Sequence, residues 1–224
     1  MARTDNASLI LASKSPRRAE ILGDAGIEFT VVSTEIDEDV YLLGADSSSE
    51  TRDPVEAVRR LALVKARAVA TLRSGAFVLG ADTIVVLDGE ILGKPESAGS
   101  AVKMLHRLSG RSHRVITGVT VIDPGGKTHT DIASTSVVFR NLEDGEVVDY
   151  VATGSPLDKA GGYGIQDSSF APVESYDECY LNVVGLPMCV TIRLLEMSGF
   201  NRFPAAVCRR HINLDPALHP KAIK

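Results

Sequence analysis

The segment Ser13-Lys14-Ser15-Pro16-Arg17-Arg18 sets two hydroxyls, a proline and two guanidiniums where an apolar run ends and a helix should begin. Ser15 suits an N-cap and Pro16 the first helical position. The N–H groups of a first helical turn, with the positive end of its dipole, make a ready anion site. A guanidinium fork adds paired hydrogen bonds to phosphate oxygens. The same residues would equally serve as a capped surface helix with solvated arginines.

Four further groups could share such chemistry. In Gly80-Ala81-Asp82-Thr83 an aspartate interrupts an otherwise apolar run. A carboxylate there is costly to bury unpaired. It reads either as a strand-end acid that binds a metal or activates water, or as a turn aspartate between two strands. Lys94, between Gly93 and Pro95, joins a constrained backbone to a mobile ammonium suited to phosphate, or is an ordinary surface lysine, and mid-helix Lys65 has the same ambiguity. The acidic loop Glu35-Ile36-Asp37-Glu38-Asp39 could supply a second oxygen ligand of the kind Mg²⁺ takes, or be a solvated face. In Asp158-Lys159-Ala160-Gly161-Gly162-Tyr163-Gly164-Ile165-Gln166 the glycines allow close approach to a ligand. The Gln166 amide there could read a nucleobase edge, or be a polar loop tip. The five histidines show no metal-ligand spacing, and no Ser/His/Asp or Cys/His constellation is evident.

The elements that must position these groups follow from periodicity and punctuation. Leu9–Ala12 reads as a short buried strand and Phe29–Val32 as a second. Asp53-Pro54-Val55-Glu56 opens a helix to about residue 73, with Val58, Leu61, Ala62, Val64, Ala68 and Val69 on its apolar face. Phe77–Ala81 and Ile84–Leu87 form a strand that turns at Asp88-Gly89 into Ile91-Leu92. Ser97–Leu108 is a helix, His113–Ile122 and Lys127–Phe139 are long strands, and Glu143–Val151 and Pro187–Met197 are helices. Strands alternate with helices early and pair with each other in the middle. The expected fold class is therefore α/β with a mixed sheet.

With 224 residues the chain approaches the upper end of one compact domain. Residues 1–200 are expected to form it and 201–224 an irregular tail, since Pro204, Pro216 and Pro220 fall there without apolar periodicity. A composition of 44% hydrophobic and 24% charged residues excludes wholesale disorder. The net charge of −5 argues against a nucleic-acid partner, whose phosphates call for a basic excess. Cys179, Cys189 and Cys208 form no CxxC pair and read as reduced thiols. No run approaches a membrane span, so the expectation is a cytoplasmic protein without a membrane partner.

In their order these motifs resemble the Maf family of nucleotide pyrophosphatases. The resemblance runs over about residues 8–199 through Leu11–Arg18, Gly80–Thr83, Gly93–Pro95, Leu108–His113, Asp158–Gly161, Tyr163–Gln166 and Val184–Pro187. It implies a mixed, twisted sheet flanked by helices, with two lobes around a deep cleft, similar to the inosine triphosphate pyrophosphatases. It implies cleavage of a nucleoside triphosphate between the α- and β-phosphates with Mg²⁺ or Mn²⁺. Asp82 matches the catalytic carboxylate and, with Glu38, the metal-side acids, Asp37 competing with Glu38. Arg18, Lys65 and Lys94 match the residues that hold the phosphates, and Ser13 and Ser15 lie in the same phosphate loop. Arg17, Thr83 and Gln166 match the subgroup acting on dTTP and UTP, the alternative substrate being 7-methyl-GTP. Asp167 stands where the family usually has glycine. The family is also described as septum formation inhibitors, so the rival reading is a nucleotide-binding regulator of division working through a protein partner. A homodimer is implied by the resemblance alone.

Overall fold

Four successive apolar residues, all buried, make β1 (Leu9–Ala12), and Pro16 starts α1 (Pro16–Asp24) directly after the loop that follows. The computed structural model of the protein describes residues 7–36 and 53–204. The remaining elements are β2 (Thr30–Val31), α2 (Pro54–Ala70), β3 (Phe77–Leu87), β4 (Glu90–Leu92), α3 (Ala98–Leu108), β5 (Ser112–Ile122), β6 (Thr128–Phe139), α4 (Asp144–Ala152), β7 (Val173–Tyr176), α5 (Tyr180–Val184) and α6 (Met188–Ser198). The strands form one seven-stranded sheet in the order β2-β1-β3-β5-β6-β7, with β4 paired to β3. β1 runs parallel to β2 and β3, whereas β4 is antiparallel to β3 and β7 to β6. The mixed α/β architecture is the one expected. Among the described residues no helix is long and apolar enough to cross a membrane.

The described residues fall into two compact units: 7–36, 53–82, 117–133 and 185–204 in the first, 83–116 and 134–184 in the second. In the first, Asp53 caps α2 by accepting the Val55 N–H at 3.0 Å, and Pro54 occupies the first turn. The helix turns Val58, Leu61, Ala62, Ala66 and Val69 inward. Complete burial of Val58 and Leu61 contributes about 1.5–3 kcal/mol each, which determines the face of α2 that meets the sheet. Ala66, Val69, Ile10, Ala12, Val78 and Ile122 form one buried cluster. Two strand glycines permit the close approach. A Cβ at Gly80 would stand 2.6 Å from the Ala62 carbonyl oxygen, and one at Gly118 would stand 2.5 Å from that of Val58. Phe200 packs edge-on against Phe77 at 5.3 Å and anchors the end of α6.

The second unit holds a buried aromatic cluster. His113 shares a 2.7 Å hydrogen bond between Nε2 and the Tyr163 hydroxyl, and Phe139 meets both rings edge-on. Burial pushes the His113 imidazole down to about 4, and the Arg111 carbonyl offsets this only in part. Because the folded value lies below the ordinary 6.5, the unfolded chain binds the extra proton first. The stability this contributes is complete above pH 6.5 and is lost as pH falls towards 4. At about 1.4 kcal/mol per pKa unit the loss is about 3 kcal/mol. Urea unfolding at pH 7 and pH 4 should show it, and His113→Asn should lose that part of the slope. Equal slopes in the two proteins would disprove the assignment.

Three sequence expectations need correction. The second strand is Thr30–Val31 rather than Phe29–Val32, because only Ile10 and Leu11 offer it register partners. α2 ends at Ala70, where Thr71 turns its hydroxyl back onto the Ala68 carbonyl at 3.0 Å. β7 and α5 were not expected: Val-Glu-Ser-Tyr has no apolar alternation and becomes a strand through pairing with β6, Val137 opposite Tyr176. The expected tail beyond residue 204 lies outside the described residues.

Candidate active site

The loop after β1 is built around a buried hydroxyl. Ser13 is 7% exposed, and its Oγ accepts the Ser15 N–H and an Arg18 Nη1–H, both at 3.2 Å. Arg18 is also buried, and its Nε donates to the Gly185 carbonyl at 2.8 Å. The guanidinium plane is thereby fixed from two sides. Ser15 occupies the N-cap position of α1, but its hydroxyl makes no capping bond and the first turn contains no acid. The end of the helix therefore keeps its affinity for an anion. Arg17 is half-buried and Lys14 is exposed, the latter paired to exposed Glu35 at 3.3 Å, a contact of little energetic weight.

Asp82 sits within β3, not at a strand end or in a turn, and is 6% exposed. Ala12 of β1 pairs with Gly80, so Asp82 lies just past the end of its parallel neighbour. Gly80 and Asp82 share one face of the strand by their alternation, and that face meets α2. Lys65 of α2 donates to Asp82 Oδ1, the two side chains being 14% and 9% exposed. A buried carboxylate is tolerable when it is paired in this way. The lysine and aspartate that the sequence left ambiguous are thus brought together.

Three of the other expected residues lie in the second unit. Thr83 is half-buried on the opposite face of β3 from Asp82. Lys94 is exposed, and the Gly93 carbonyl beside it accepts the Gly161 N–H at 3.1 Å. Gln166 is exposed in a turn closed by the Asp167 N–H on the Gly164 carbonyl at 3.1 Å. Glu38 and its competitor Asp37 lie outside the described residues. Sequence reasoning missed the carbonyl of Gly185 and the hydroxyls of Tyr150 and Ser155, which no local spacing announces; Asp167 it noted only as a departure from the family's usual glycine.

A family model described as Maf-like protein matches residues 8–198, most of the chain. The chain belongs to the Maf family. Among Maf-family relatives, a protein of Citrifermentans bemidjiense named dTTP/UTP pyrophosphatase is 46% identical over 195 residues, covering 87% of this chain and 97% of that one. One of Symbiobacterium thermophilum with the same name is 49% identical over 195 residues, covering 87% and 96%. Among solved structures, the Staphylococcus aureus Ham1 protein aligns with 59% of this chain and 71% of its own at 17% identity and a TM-score of 0.38, a likeness that carries no functional information. The site described above thus belongs to a Maf-family chain with relatives named dTTP/UTP pyrophosphatase.

Proposed function

We propose that this Maf-family chain is a nucleoside triphosphate pyrophosphatase that hydrolyses dTTP and UTP to the monophosphate and pyrophosphate. The observation that carries the reading is the buried Asp82–Lys65 pair, a carboxylate held beside an ammonium in the unit that also holds the anion-ready end of α1. In this reading the phosphates lie against Ser13, Ser15 and Arg18, with Lys65 and Lys94 offsetting their charge. Asp82 orients a water and takes its proton as the water oxygen bonds to the α-phosphorus. The bond from that phosphorus to the bridging oxygen breaks, and pyrophosphate leaves with the electron pair. Arg17, Thr83 and Gln166 set the preference for a pyrimidine.

Among the described residues no group of three or more His, Cys, Asp or Glu could form a complete metal cage. Mg²⁺ does not need one, since it binds through one or two carboxylates together with substrate phosphates. Asp82 fits that donor chemistry, and Glu38 would be its companion. Bound Mg²⁺ or Mn²⁺ would neutralise charge on the phosphate oxygens. The proposal further takes residues 1–200 as the catalytic domain and 201–224 as a tail. It places the protein in the cytoplasm, as a homodimer, without a nucleic-acid or membrane partner.

Product analysis tests the reaction. Purified protein with Mg²⁺ should release monophosphate and pyrophosphate from dTTP and UTP in preference to CTP, GTP and 7-methyl-GTP, and EDTA should abolish the release. Cleavage of 7-methyl-GTP alone would keep the reaction and overturn the roles of Arg17, Thr83 and Gln166. Nucleotide binding without any turnover would favour the division regulator.

A further inference from the structure

The turn that carries Gln166 is tied to α4 at both ends through a single hydroxyl. Gly164, its first residue, donates its N–H to the Tyr150 hydroxyl at 3.2 Å. Asp167, its last, accepts from that same hydroxyl through Oδ2. Ile165 and Gln166 are the central pair, and the Gln166 side chain is exposed. Ser155 Oγ donates to the same Asp167 oxygen at 3.1 Å, and Lys159 Nζ donates to Ser155 Oγ at 2.9 Å. One oxygen of the carboxylate is therefore held by two hydroxyls of the protein.

The attachment continues beyond the turn. The Tyr150 ring stacks on Phe170, with centroids 4.0 Å apart and planes 10° from parallel. The N–H groups of Phe170 and Ala171 return to the Asp167 carbonyl at 3.1 and 2.8 Å. Arg140 grips Glu146 of α4 with one edge and the Phe170 and Ala171 carbonyls at 2.7 and 3.0 Å with the rest of its fork. Burial, reinforced by the Asp167 carboxylate, pushes the Tyr150 hydroxyl above its ordinary range. It therefore remains the donor to Asp167 at neutral pH.

A glutamine on a freely moving turn would lose backbone and side-chain freedom at each binding event, which weakens binding without changing any contact. A turn already fixed at both ends avoids the backbone part of that loss. A rigid amide also discriminates more sharply, because a base that cannot match it leaves polar groups unpaired. We infer that Tyr150 and Asp167 are positioning residues for substrate choice, holding the turn so that the Gln166 amide meets the pyrimidine edge. The inference rests on the reading of Gln166 as the base-side residue.

Steady-state kinetics on dTTP, UTP and GTP with Mg²⁺ separate the two claims. Tyr150→Phe keeps the ring stack and removes the hydroxyl. It is expected to raise KM for dTTP and UTP roughly tenfold, the scale of one or two hydrogen bonds, to hold kcat within about twofold, and to reduce discrimination against GTP. Asp167→Asn should do the same and serves as the deciding variant if Tyr150→Phe does not fold. In a Gln166→Ala background either substitution should add less than about twofold, because it acts through a side chain already removed. If Gln166→Ala itself leaves KM and discrimination unchanged, the base-side reading fails and the inference falls with it. If Gln166→Ala has its effect but the other two do not, or their effects multiply in the double variants, the positioning role alone is wrong. An equal fall in kcat for every base, with a lowered urea midpoint, would mean a merely structural role and would also overturn it.

Discussion

Asp82→Asn is expected to lower kcat for dTTP by about 10²–10³-fold or more, the range seen when one positioned electrostatic group is removed from an active site. Asparagine has nearly the same shape, and its amide oxygen can still accept from Lys65, so the local packing should persist. What disappears is the negative charge, and with it the ability to take a proton from water or to hold a cation. The urea midpoint should show a folded protein, since Lys65 is 14% exposed and can reach water once its counter-charge is gone. Lys65→Met is a different experiment. It leaves the Asp82 side chain, only 9% exposed, without its partner, and breaking a buried pair from one side costs about 3–5 kcal/mol. Loss of activity in Lys65→Met could thus follow from lost folding, whereas the same loss in folded Asp82→Asn could not. Turnover within a few-fold of the parent in Asp82→Asn would remove the aspartate from the mechanism.

The second large effect is expected at a backbone contact rather than at a group that would touch the nucleotide. Gly80→Ala would set a methyl 2.6 Å from the Ala62 carbonyl oxygen, 2.8 Å from the Ala66 nitrogen and 2.9 Å from the Ala66 Cβ. Two of these atoms are helix backbone, so no rotamer change relieves the overlap and α2 itself must move away from β3. Overpacking of this kind reaches about 3 kcal/mol and occasionally more. Because α2 also carries Lys65, turnover should fall along with stability. Gly145→Ala is the control for a glycine in α4, where an added Cβ meets nothing within 4 Å. It should stabilise the protein by about 0.4–1 kcal/mol by restricting the unfolded chain. Urea unfolding of the two variants gives opposite signs if backbone contact is the cause. A Gly80→Ala protein as stable and active as its parent would show that α2 does not depend on that contact.

Much of the candidate site was legible in the sequence where its geometry is local. The loop Ser13–Arg18 announces itself because a cap residue, a proline and two arginines follow one another; β1 forms with the expected bounds and α1 begins at the expected proline. The hairpin at Asp88-Gly89 and the capping serine of α3, which accepts the Ser100 N–H at 3.2 Å, are likewise properties of neighbouring residues. Lys65 carried a signal that local reading left undecided: it lies seven residues after Val58 and four before Val69, on the helix stripe that turns inward.

Only the tertiary structure decided what that lysine meets. Its partner Asp82 is 17 residues away on another element, and the pair forms because Gly80 and Gly118 let α2 lie against the strand backbones. The grip of Gly185 on Arg18 spans 167 residues, and that of Tyr150 on Asp167 spans 17. Periodicity reports which face of an element is apolar but not which element it will face. By itself the sequence determined the α/β class, the anion-ready helix end and the residue types available for phosphate chemistry. The fold decided which charge is buried against which, because burial and pairing depend on contacts between segments that share no local pattern.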